Sequence, residues 1–343
     1  MSKILFPAEW APQSGIQLTW PHEDTDWAPQ LDEAVDCFLR IAREIIKHEL
    51  LLIVAPDEEV VRKQFGEGTD FSRIRFRNMP TNDTWARDHG GISVYEDGKP
   101  LVLDFVFNGW GLKYPANYDN LITRQLLRSD AFAPEIDGLS LPPFVLEGGS
   151  IDTDGQGTLL TTEECLTAVN RNDYLSREQI EFHLKEMLGI DRVLWLEHGF
   201  LMGDDTNSHV DMLARFCNED SIAYVKCEER DDPHFDQLQA MERQLQGFTR
   251  KDGQPYRLFA LPLPAAVHDE QGYRLPASYA NFLILNGAVL VPTYGVPQDE
   301  AALSILKEAF PGREVTGVNC RTLIRQHGSL HCVTMQYPEG FIL

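Results

Sequence analysis

Apolar residues recur at helical spacing in five stretches of the chain. In each stretch they fall three and four residues apart, which is typical of a helix with one buried face. The predicted helices span residues 31–48, 120–129, 176–188, 234–246 and 299–310. The third has the clearest ends, because Ser176 and Gln179 are close to a capping box and Gly189 follows the last apolar turn.

Short segments rich in Val, Ile, Leu and Phe lie between these helices and predict strands. Asp97-Gly98, residues 218–220 and Asn286-Gly287 are predicted hairpin connections. The pattern therefore predicts a unit of strand, hairpin, strand and helix, repeated about five times.

A polar or glycine-containing motif opens each predicted strand pair. The motifs are RDHGG near 88, LEGGS near 147, NSHVD near 209, ASYAN near 279 and HGSLHC near 329. One such unit cannot bury its apolar face alone, so the repeat predicts a radial arrangement in which the five openings meet. We expect a single domain over residues 1–343 with one site built from distant parts of the chain.

The chain is acidic, with 53 Asp and Glu residues against 30 Lys and Arg residues and a formal net charge of −23. This charge repels nucleic acid and anionic lipid and favours a small cationic ligand, although it also serves solubility. The sequence shows no signal-peptide pattern and no run of about 18 apolar residues. We therefore expect a cytoplasmic protein without nucleic-acid or membrane partners.

Six cysteines, at positions 37, 165, 217, 227, 320 and 332, form no CxxC pair and are too sparse for a disulfide scaffold. We expect reduced thiols, most of them in the core. Cys332 stands apart because it follows His331 and a Gly-Ser step in the last opening motif.

The other opening motifs carry three carboxylates and a histidine. Asp88 lies in a loop predicted to be exposed, where a surface ion pair with Arg87 is the alternative to a function. Glu147 ends an apolar strand before two glycines, so its carboxylate is either solvated or aimed into a cleft. His209 and Asp211 are two residues apart and would face the same side of a strand.

Several carboxylates around one thiol favour a cationic substrate. A cysteine protease needs thiol, imidazole and oxyanion donors, but no group of acids. A guanidinium presents five N–H donors that carboxylates bind bidentately. Held between Asp88 and Asp211, its central carbon would be open to the sulfur of Cys332.

The ordered set of motifs resembles the agmatine deiminases of the guanidino-group-modifying superfamily, close to the bacterial peptidylarginine deiminase family. The motifs are WARD (85–88), FNGWG (107–111), LEGGSID (146–152), GTLLTTEECL (157–166), NRN (170–172), HVDMLARF (209–216), SYANFLILNG (278–287), AFPGREV (309–315) and HCVTMQYP (331–338). The resemblance covers nearly the whole chain. It implies a five-bladed, pseudo-symmetric α/β propeller, also called the pentein fold, and a C–N hydrolase without metal or other cofactor.

The resemblance also implies roles for individual residues. Cys332 would be the nucleophile and His209 the acid and base, with Asp88 and Asp211 as the guanidinium clamps. Glu147 matches the active-site glutamate of the family.

Three further positions bear on the substrate pocket. Trp85 matches a residue that lines the pocket in the family. Residues 207–208 and 327–329 depart from the family pattern, in which an Asp-Gly often precedes the histidine and a glycine run often precedes the cysteine. Both departures would alter loop geometry and leave the chemical groups intact.

This chemistry would form a covalent thiouronium on Cys332, release ammonia, and end with water releasing a ureido product. For agmatine the product is N-carbamoylputrescine, an intermediate of putrescine and polyamine biosynthesis. Because nearby carboxylates disfavour a thiolate, we expect the Cys332 thiol to stay protonated until the cation binds.

The residues alone leave other functions open. Free arginine or peptidylarginine would be different guanidine substrates, and a polyamine-binding protein could use the acids without the thiol. A metal-dependent hydrolase would draw its ligands from His198, Asp204, His209, Asp211 or His331, but no HExxH or paired-cysteine spacing is present.

Residues 152–163 match the ligand offsets of an EF-hand, but their flanks are predicted strands, which favours a glycine-rich hairpin. The oligomeric state stays open, although homo-oligomers are common among acidic cytosolic enzymes of this type. The residues at the far end of the substrate are unassigned. Trp20, Trp27 and Trp110 are candidates for the pocket lining or for the core.

Overall fold

Five separate sheets form the frame of an α/β fold. The structure, a computed structural model, describes residues 3–342, and the side chains of residues 140 and 142 lie outside this description, as do residues 1, 2 and 343 of the predicted domain. The strands are β1 (Ile4–Leu5), β2 (Gln13–Thr19), β3 (Leu50–Ala55), β4 (Ile74–Asn78), β5 (Ile92–Glu96), β6 (Lys99–Val106), β7 (Asp137–Val145), β8 (Ile151–Thr153), β9 (Thr158–Thr162), β10 (Arg192–Leu196), β11 (Ala214–Asn218), β12 (Ser221–Lys226), β13 (Arg257–Pro262), β14 (Leu283–Ile284), β15 (Ala288–Thr293), β16 (Glu314–Asn319) and β17 (Thr334–Pro338).

The five predicted helices are confirmed, with ends within one residue of the prediction. The longer helices are Leu31–His48, Glu58–Phe65, Asp119–Arg128, Arg177–Leu188, Phe235–Gly247 and Asp299–Ala309, and the short ones include Ala86–His89 and Glu163–Leu166. The capping box at Ser176 is present, and Gly189 ends that helix with a left-handed φ of 65°. The unpredicted helix Glu58–Phe65 begins at Asp57, whose carboxylate accepts the backbone N–H of Glu59.

The repeating unit contains one strand more than the sequence predicted. In each unit an antiparallel hairpin is followed by a helix and by a third strand that runs parallel to the second. The sheet orders are β5-β6-β7, β10-β9-β8, β11-β12-β13 and β14-β15-β16, with β1 added to the edge of the first. The second and third strands of a unit are separated in sequence by a whole helix. The local sequence pattern therefore could not show that they pair.

The fifth sheet joins the two ends of the chain. Strand β17 pairs antiparallel with β2, and β3 and β4 follow in parallel, so the order is β17-β2-β3-β4. The last strand therefore completes a unit that begins near the N-terminus.

The predicted hairpin connections are also confirmed. Asp97 and Gly98, both with positive φ, join β5 to β6, residues 218–220 join β11 to β12, and residues 286–287 join β14 to β15. The EF-hand-like segment 152–163 contains most of the antiparallel pair β8 and β9 and the turn between them, and only the single 3-10 turn Gly148–Ser150 precedes β8, where an EF-hand has a long helix. It is a hairpin, as expected.

The long helices each bury one face. In Leu31–His48 the buried residues include Ala34, Phe38, Ile41 and Ile45, which recur every three to four positions. Burial of one such large side chain contributes about 1.5–3 kcal/mol. Across the described residues, the helices are too short or too polar to cross a lipid bilayer.

All six cysteines are buried and none forms a disulfide within residues 3–342. The prediction of reduced thiols agrees with this arrangement. The turns that precede the hairpins, Ala86–His89, Gly148–Ser150 and Val210–Met212, pack on one another and bring the opening motifs together.

Candidate active site

Three predicted side chains converge on the backbone of Gly149. A Cβ atom at this glycine would lie 2.6 Å from Nδ1 of His209, 2.8 Å from Oδ1 of Asp88 and 3.2 Å from Oδ2 of Asp211. The Gly149 N–H also donates to Oδ1 of Asp88 at 3.1 Å. Only a residue without a side chain leaves room for the three groups to meet.

The prediction that Asp88 lies in an exposed loop is wrong. Asp88 is buried within the helical turn Ala86–His89. Arg87 is buried as well and donates to Oε1 of Gln336 at 2.6 Å, so the two do not form a surface ion pair. Burial raises the pKa of Asp88 to about 6, and the neighbouring carboxylates of Asp211 and Glu147 add to the effect against the opposing charge of His209.

Trp110 holds the second oxygen of Asp88. Its indole N–H donates to Oδ2 at 2.9 Å. Residues 109–112 all have positive φ, and Trp110 itself has φ 57° and ψ 46°. A left-handed conformation at a residue other than glycine costs about 1–2 kcal/mol. The position of the Trp110 indole beside Asp88 is therefore maintained at a cost in stability.

The sequence predicted a strand at His209, but His209 does not lie in one. It precedes the 3-10 turn Val210–Met212. Its Nε2 lies 3.2 Å from Oε2 of Glu147, and its Nδ1 lies 3.6 Å from Oδ1 of Asp88. Burial alone would lower the pKa of His209, but the charge of Asp88 and the hydrogen bond to Glu147 help to raise it well above its usual value. These neighbours therefore favour the imidazolium form of the ring, which can give up a proton.

The carboxylate of Glu147 is not solvated. It is fully buried, and Nε of Arg171 lies 3.0 and 2.9 Å from its two oxygens. Burial would raise the pKa of Glu147, but His209 and Arg171 outweigh this effect and lower it. Sequence reasoning assigned no role to Arg171, although it lies in the quoted NRN motif.

One set of side chains resembles the ligands of a metal ion. Ligand atoms of Glu147, Cys165 and His209 lie within 4.8 Å of one another. However, the Arg171 guanidinium pairs with both oxygens of Glu147 and repels a second cation. The arrangement fits an ion-pair network better than a metal site.

Cys332 lies beside Asp211 and Asn281. Its Sγ is 3.8 Å from Oδ2 of Asp211 and 3.3 Å from Nδ2 of Asn281. Burial raises the pKa of the thiol well above its usual value, and the charges of Asp211 and Asp88 raise it further. The expectation of a protonated thiol in the free protein agrees with this environment.

A histidine lies within hydrogen-bond distance of Asp211. His331 Nδ1 lies 2.7 Å from Oδ2 of Asp211, and its Nε2 lies 2.8 Å from Oε2 of Glu9. The same Glu9 oxygen accepts from Nη2 of Arg215 at 2.6 Å. Oδ1 of Asp211 is buried and has no partner among the described residues. This oxygen therefore has an unused capacity to accept a hydrogen bond.

A cavity opens above Cys332 and Asp88. Its walls comprise three aromatic residues, three further acids and four other residues: Trp85, Trp110 and Tyr114; Asp26, Asp83 and Asp205; and Thr206, Gln326, His327 and Gly328. No Lys or Arg of the described chain lines it.

Two of the wall acids are fixed by the aromatic residues. Oδ2 of Asp83 accepts from the Trp85 indole at 3.1 Å, and Oδ2 of Asp205 accepts from the Tyr114 hydroxyl at 2.8 Å. Of the other tryptophan candidates, Trp20 and Trp27 belong to the core.

Of the two departures from the family pattern, His327 and Gly328 line this cavity, and Asn207 and Ser208 follow its wall residue Thr206. Asn207 and Ser208 both have positive φ, and Oδ1 of Asn207 accepts from Arg171 at 2.9 Å. A Cβ at Gly328 would lie 2.2 Å from the Trp85 ring, so glycine is needed where this loop crosses the indole.

The sequence profile of the Porphyromonas-type peptidyl-arginine deiminase family matches residues 5–338. The chain therefore belongs to this family. It is 35% identical over 359 residues to an agmatine deiminase of Stutzerimonas stutzeri, with 98% of this chain and 96% of the relative covered.

Two solved structures are similar over nearly their whole length. A Porphyromonas gingivalis protein provisionally named an arginine deiminase is 55% identical with a TM-score of 0.95, covering 99% of this chain and 100% of that one. A substrate-bound agmatine deiminase from C. jejuni is 36% identical with a TM-score of 0.91, covering 99% and 97%.

Proposed function

We propose that this protein is an agmatine deiminase, which hydrolyses agmatine to N-carbamoylputrescine and ammonia through a covalent intermediate on Cys332. The main support for this proposal is the acid-lined cavity that ends at this thiol. Agmatine carries one positive charge at each end and no carboxylate. The guanidinium would enter first and leave the ammonium among the wall acids.

The same cavity disfavours free arginine. Its α-carboxylate would lie near Asp26, Asp83 and Asp205, and no Lys or Arg among the described lining residues would neutralise it. Charged wall acids would repel this carboxylate, and an acid that is neutral because burial raises its pKa, as at Asp83 to about 7, would offer it no positive partner. The names of relatives in this family differ in substrate, so the chemistry of the cavity wall is the deciding feature.

Asp88 and Asp211 are proposed to bind the guanidinium. The free Oδ1 of Asp211 and the buried carboxylate of Asp88 would accept its N–H groups and keep it cationic. Fixing the planar group in this way presents its central carbon to Sγ of Cys332.

In the first half of the reaction, the Cys332 thiol gives up its proton to solvent water once the cation is bound, and the sulfur bonds to the guanidinium carbon. The His209 imidazolium gives its proton to one amino group, the C–N bond breaks, and ammonia leaves. A thiouronium remains on Cys332. Glu147 and Asp88 hold the imidazole ring between them during this transfer.

In the second half, neutral His209 accepts a proton from water while the water oxygen bonds to the thiouronium carbon. The C–S bond then breaks, and the hydroxyl proton passes to the departing sulfur as the ureido carbonyl forms. The product is then released.

An assay of ureido product from agmatine, arginine and a blocked arginine peptide tests this function. We expect turnover of agmatine far above that of the other two, loss of turnover in Cys332→Ser, and inactivation by iodoacetamide but not by a chelator. Faster turnover of arginine or of the peptide would overturn the substrate assignment. Full activity of Cys332→Ser would overturn the chemistry.

We also propose that the five sheets are blades around one axis, the five-bladed propeller. Their common connectivity, the sheet shared by β17 and β2, and the contacts among the opening turns support this arrangement. A crystal structure with five blades at equal rotations would agree with it, and an open row of sheets would not.

A further inference from the structure

The acids of the cavity wall act against one competing substrate but not against another. They disfavour the free α-carboxylate of arginine. In a blocked arginine peptide, however, this group is an uncharged amide, so charge alone does not exclude the peptide. Its exclusion requires a steric barrier at the mouth of the cavity.

The mouth of the cavity is formed by the lining residues that have solvent exposure, which are Asp26, Asp83, Tyr114, Asp205, Gln326 and His327. Hydrogen bonds join the loops that carry them. Nε2 of Gln326 donates to the carbonyl oxygen of Asp26 at 2.8 Å, and the Tyr114 hydroxyl donates to Oδ2 of Asp205 at 2.8 Å. The mouth is therefore a set of loops tied to one another.

His327 supplies a third bond of this kind. Its Nδ1 lies 2.7 Å from the carbonyl oxygen of Gly203. A carbonyl oxygen only accepts, so Nδ1 carries a hydrogen whether the ring is neutral or charged. The bond joins the loop before Cys332 to the loop before His209, and both loops contribute walls to the cavity.

The backbone fixes both ends of this bond. His327 has φ 68° and ψ 0°, a left-handed conformation that glycine adopts far more readily than histidine. The next residue, Gly328, lies against the Trp85 ring, where a Cβ would be only 2.2 Å away. At the other end, a Cβ on Gly203 would lie 2.5 Å from the carbonyl oxygen of Arg274. The imidazole is therefore held in place between two closely packed loops.

We propose that His327 is a specificity-determining residue whose ring closes the mouth of the cavity to peptide-linked guanidines. The inference rests on the proposed function, since it concerns which guanidine reaches Cys332. The unbranched chain of agmatine passes beside the imidazole. The main chain on both sides of an arginine in a peptide collides with it.

The test compares His327→Gly with the wild type in assays of ureido product from a blocked arginine peptide and from agmatine. Glycine adopts the backbone conformation of residue 327 without strain, so this variant should fold. We expect the ratio of kcat/KM for the peptide to kcat/KM for agmatine to rise at least about tenfold. The rise should come mainly from the peptide.

His327→Asn separates the loss of the ring from the flexibility of glycine. Asparagine also tolerates the left-handed conformation, but its side chain is shorter than an imidazole. We expect the ratio to rise in this variant as well.

Asp97→Gly is the matched control. Asp97 is another residue with positive φ, 50°, and its carboxylate accepts one backbone N–H, that of Lys3 at 2.9 Å. It lies in the turn between β5 and β6 and does not line the cavity. This variant should keep the wild-type ratio.

An unchanged ratio in both His327 variants would overturn the inference. A rise in His327→Gly that is absent from His327→Asn would also overturn it, because the change would then come from backbone flexibility. A wild-type preference for free arginine over agmatine would instead contradict the proposed function. The ratio of peptide to arginine turnover would then still test His327.

Discussion

At the scale of single residues, the site depends on how each oxygen of its two proposed clamps is occupied. Asp88 has one oxygen on Trp110 and the other on Gly149. Asp211 has one oxygen on His331 and the other unpartnered among the described residues. The carboxylates are therefore oriented before any substrate arrives.

Trp110→Phe should weaken the activity of the site without abolishing it. The ring is kept, but the N–H to Asp88 is lost, and a hydrogen bond to a charged group contributes about 1.5–3 kcal/mol. We expect kcat/KM for agmatine to fall about 10- to 100-fold in steady-state assays. Trp20→Phe is the control, because Trp20 donates to Gln64 at 2.7 Å in the core and should leave the kinetics unchanged. Equal kinetics for Trp110→Phe and the wild type would refute the role of this indole.

Acid should weaken substrate binding through Asp88. The pKa of this carboxyl is raised from its ordinary value of 3.8 to about 6, so it becomes neutral as pH falls through about 6 and loses its attraction for a guanidinium. Calorimetric titration of agmatine into Cys332→Ser should show affinity falling about tenfold for each pH unit below this value. Affinity that stays constant from pH 7 to pH 4.5 would exclude such a role.

At the scale of elements, the sequence pattern predicted the helices and hairpins, whose formation depends on residues close together in the chain. Apolar spacing and caps located the five helices, and Asp-Gly and Asn-Gly pairs located hairpins. The third strand of each unit was missed because parallel pairing depends on distant residues. The strand prediction at His209 failed because left-handed backbone at residues 207–208 leads into a 3-10 turn, which alternation does not reveal.

The geometry of the site is most sensitive to substitutions in the turn Gly148–Ser150. In Gly149→Ala the added methyl would collide with His209 and Asp88, at 2.6 and 2.8 Å. We expect agmatine turnover to fall by at least about 100-fold while circular dichroism stays native, since a misplacement of about 1 Å can cost that much. Gly247→Ala, whose methyl meets no atom within 4 Å, should retain full activity. Normal turnover in Gly149→Ala would mean that the three groups meet elsewhere.

At the scale of the whole molecule, one buried network ties the N-terminal segment to the site. Glu9 pairs with Arg215 and His331, and it accepts the backbone N–H of Ile284 at 2.8 Å. Burial would raise the pKa of Glu9, but these positive charges lower it far below its usual range. The sequence could not reveal this network, because its members are separated by up to 322 positions.

Glu9→Ala should destabilise the fold. Removing one partner of this buried network leaves the charge of Arg215 compensated by Asp152 alone and costs about 3–5 kcal/mol. Urea unfolding should show this loss, whereas Glu23→Ala, at an exposed position in the same N-terminal region, should stay within about 0.5 kcal/mol of the wild type. A loss of less than about 1 kcal/mol for Glu9→Ala would contradict this account.

The sequence located the chemical groups of the site better than their surroundings. Cys332, His209 and Asp211 were found from opening motifs and the excess of acid. Arg171 and Asn281 were missed because their importance comes from contacts with Glu147 and Cys332 across the fold.

The most direct test of the account is mass spectrometry of the protein quenched during turnover of agmatine. The account predicts an adduct on Cys332 with the mass of agmatine less one ammonia, absent from Cys332→Ser. Rapid turnover with Cys332 unmodified at every quench time, or the adduct on another residue, would contradict it.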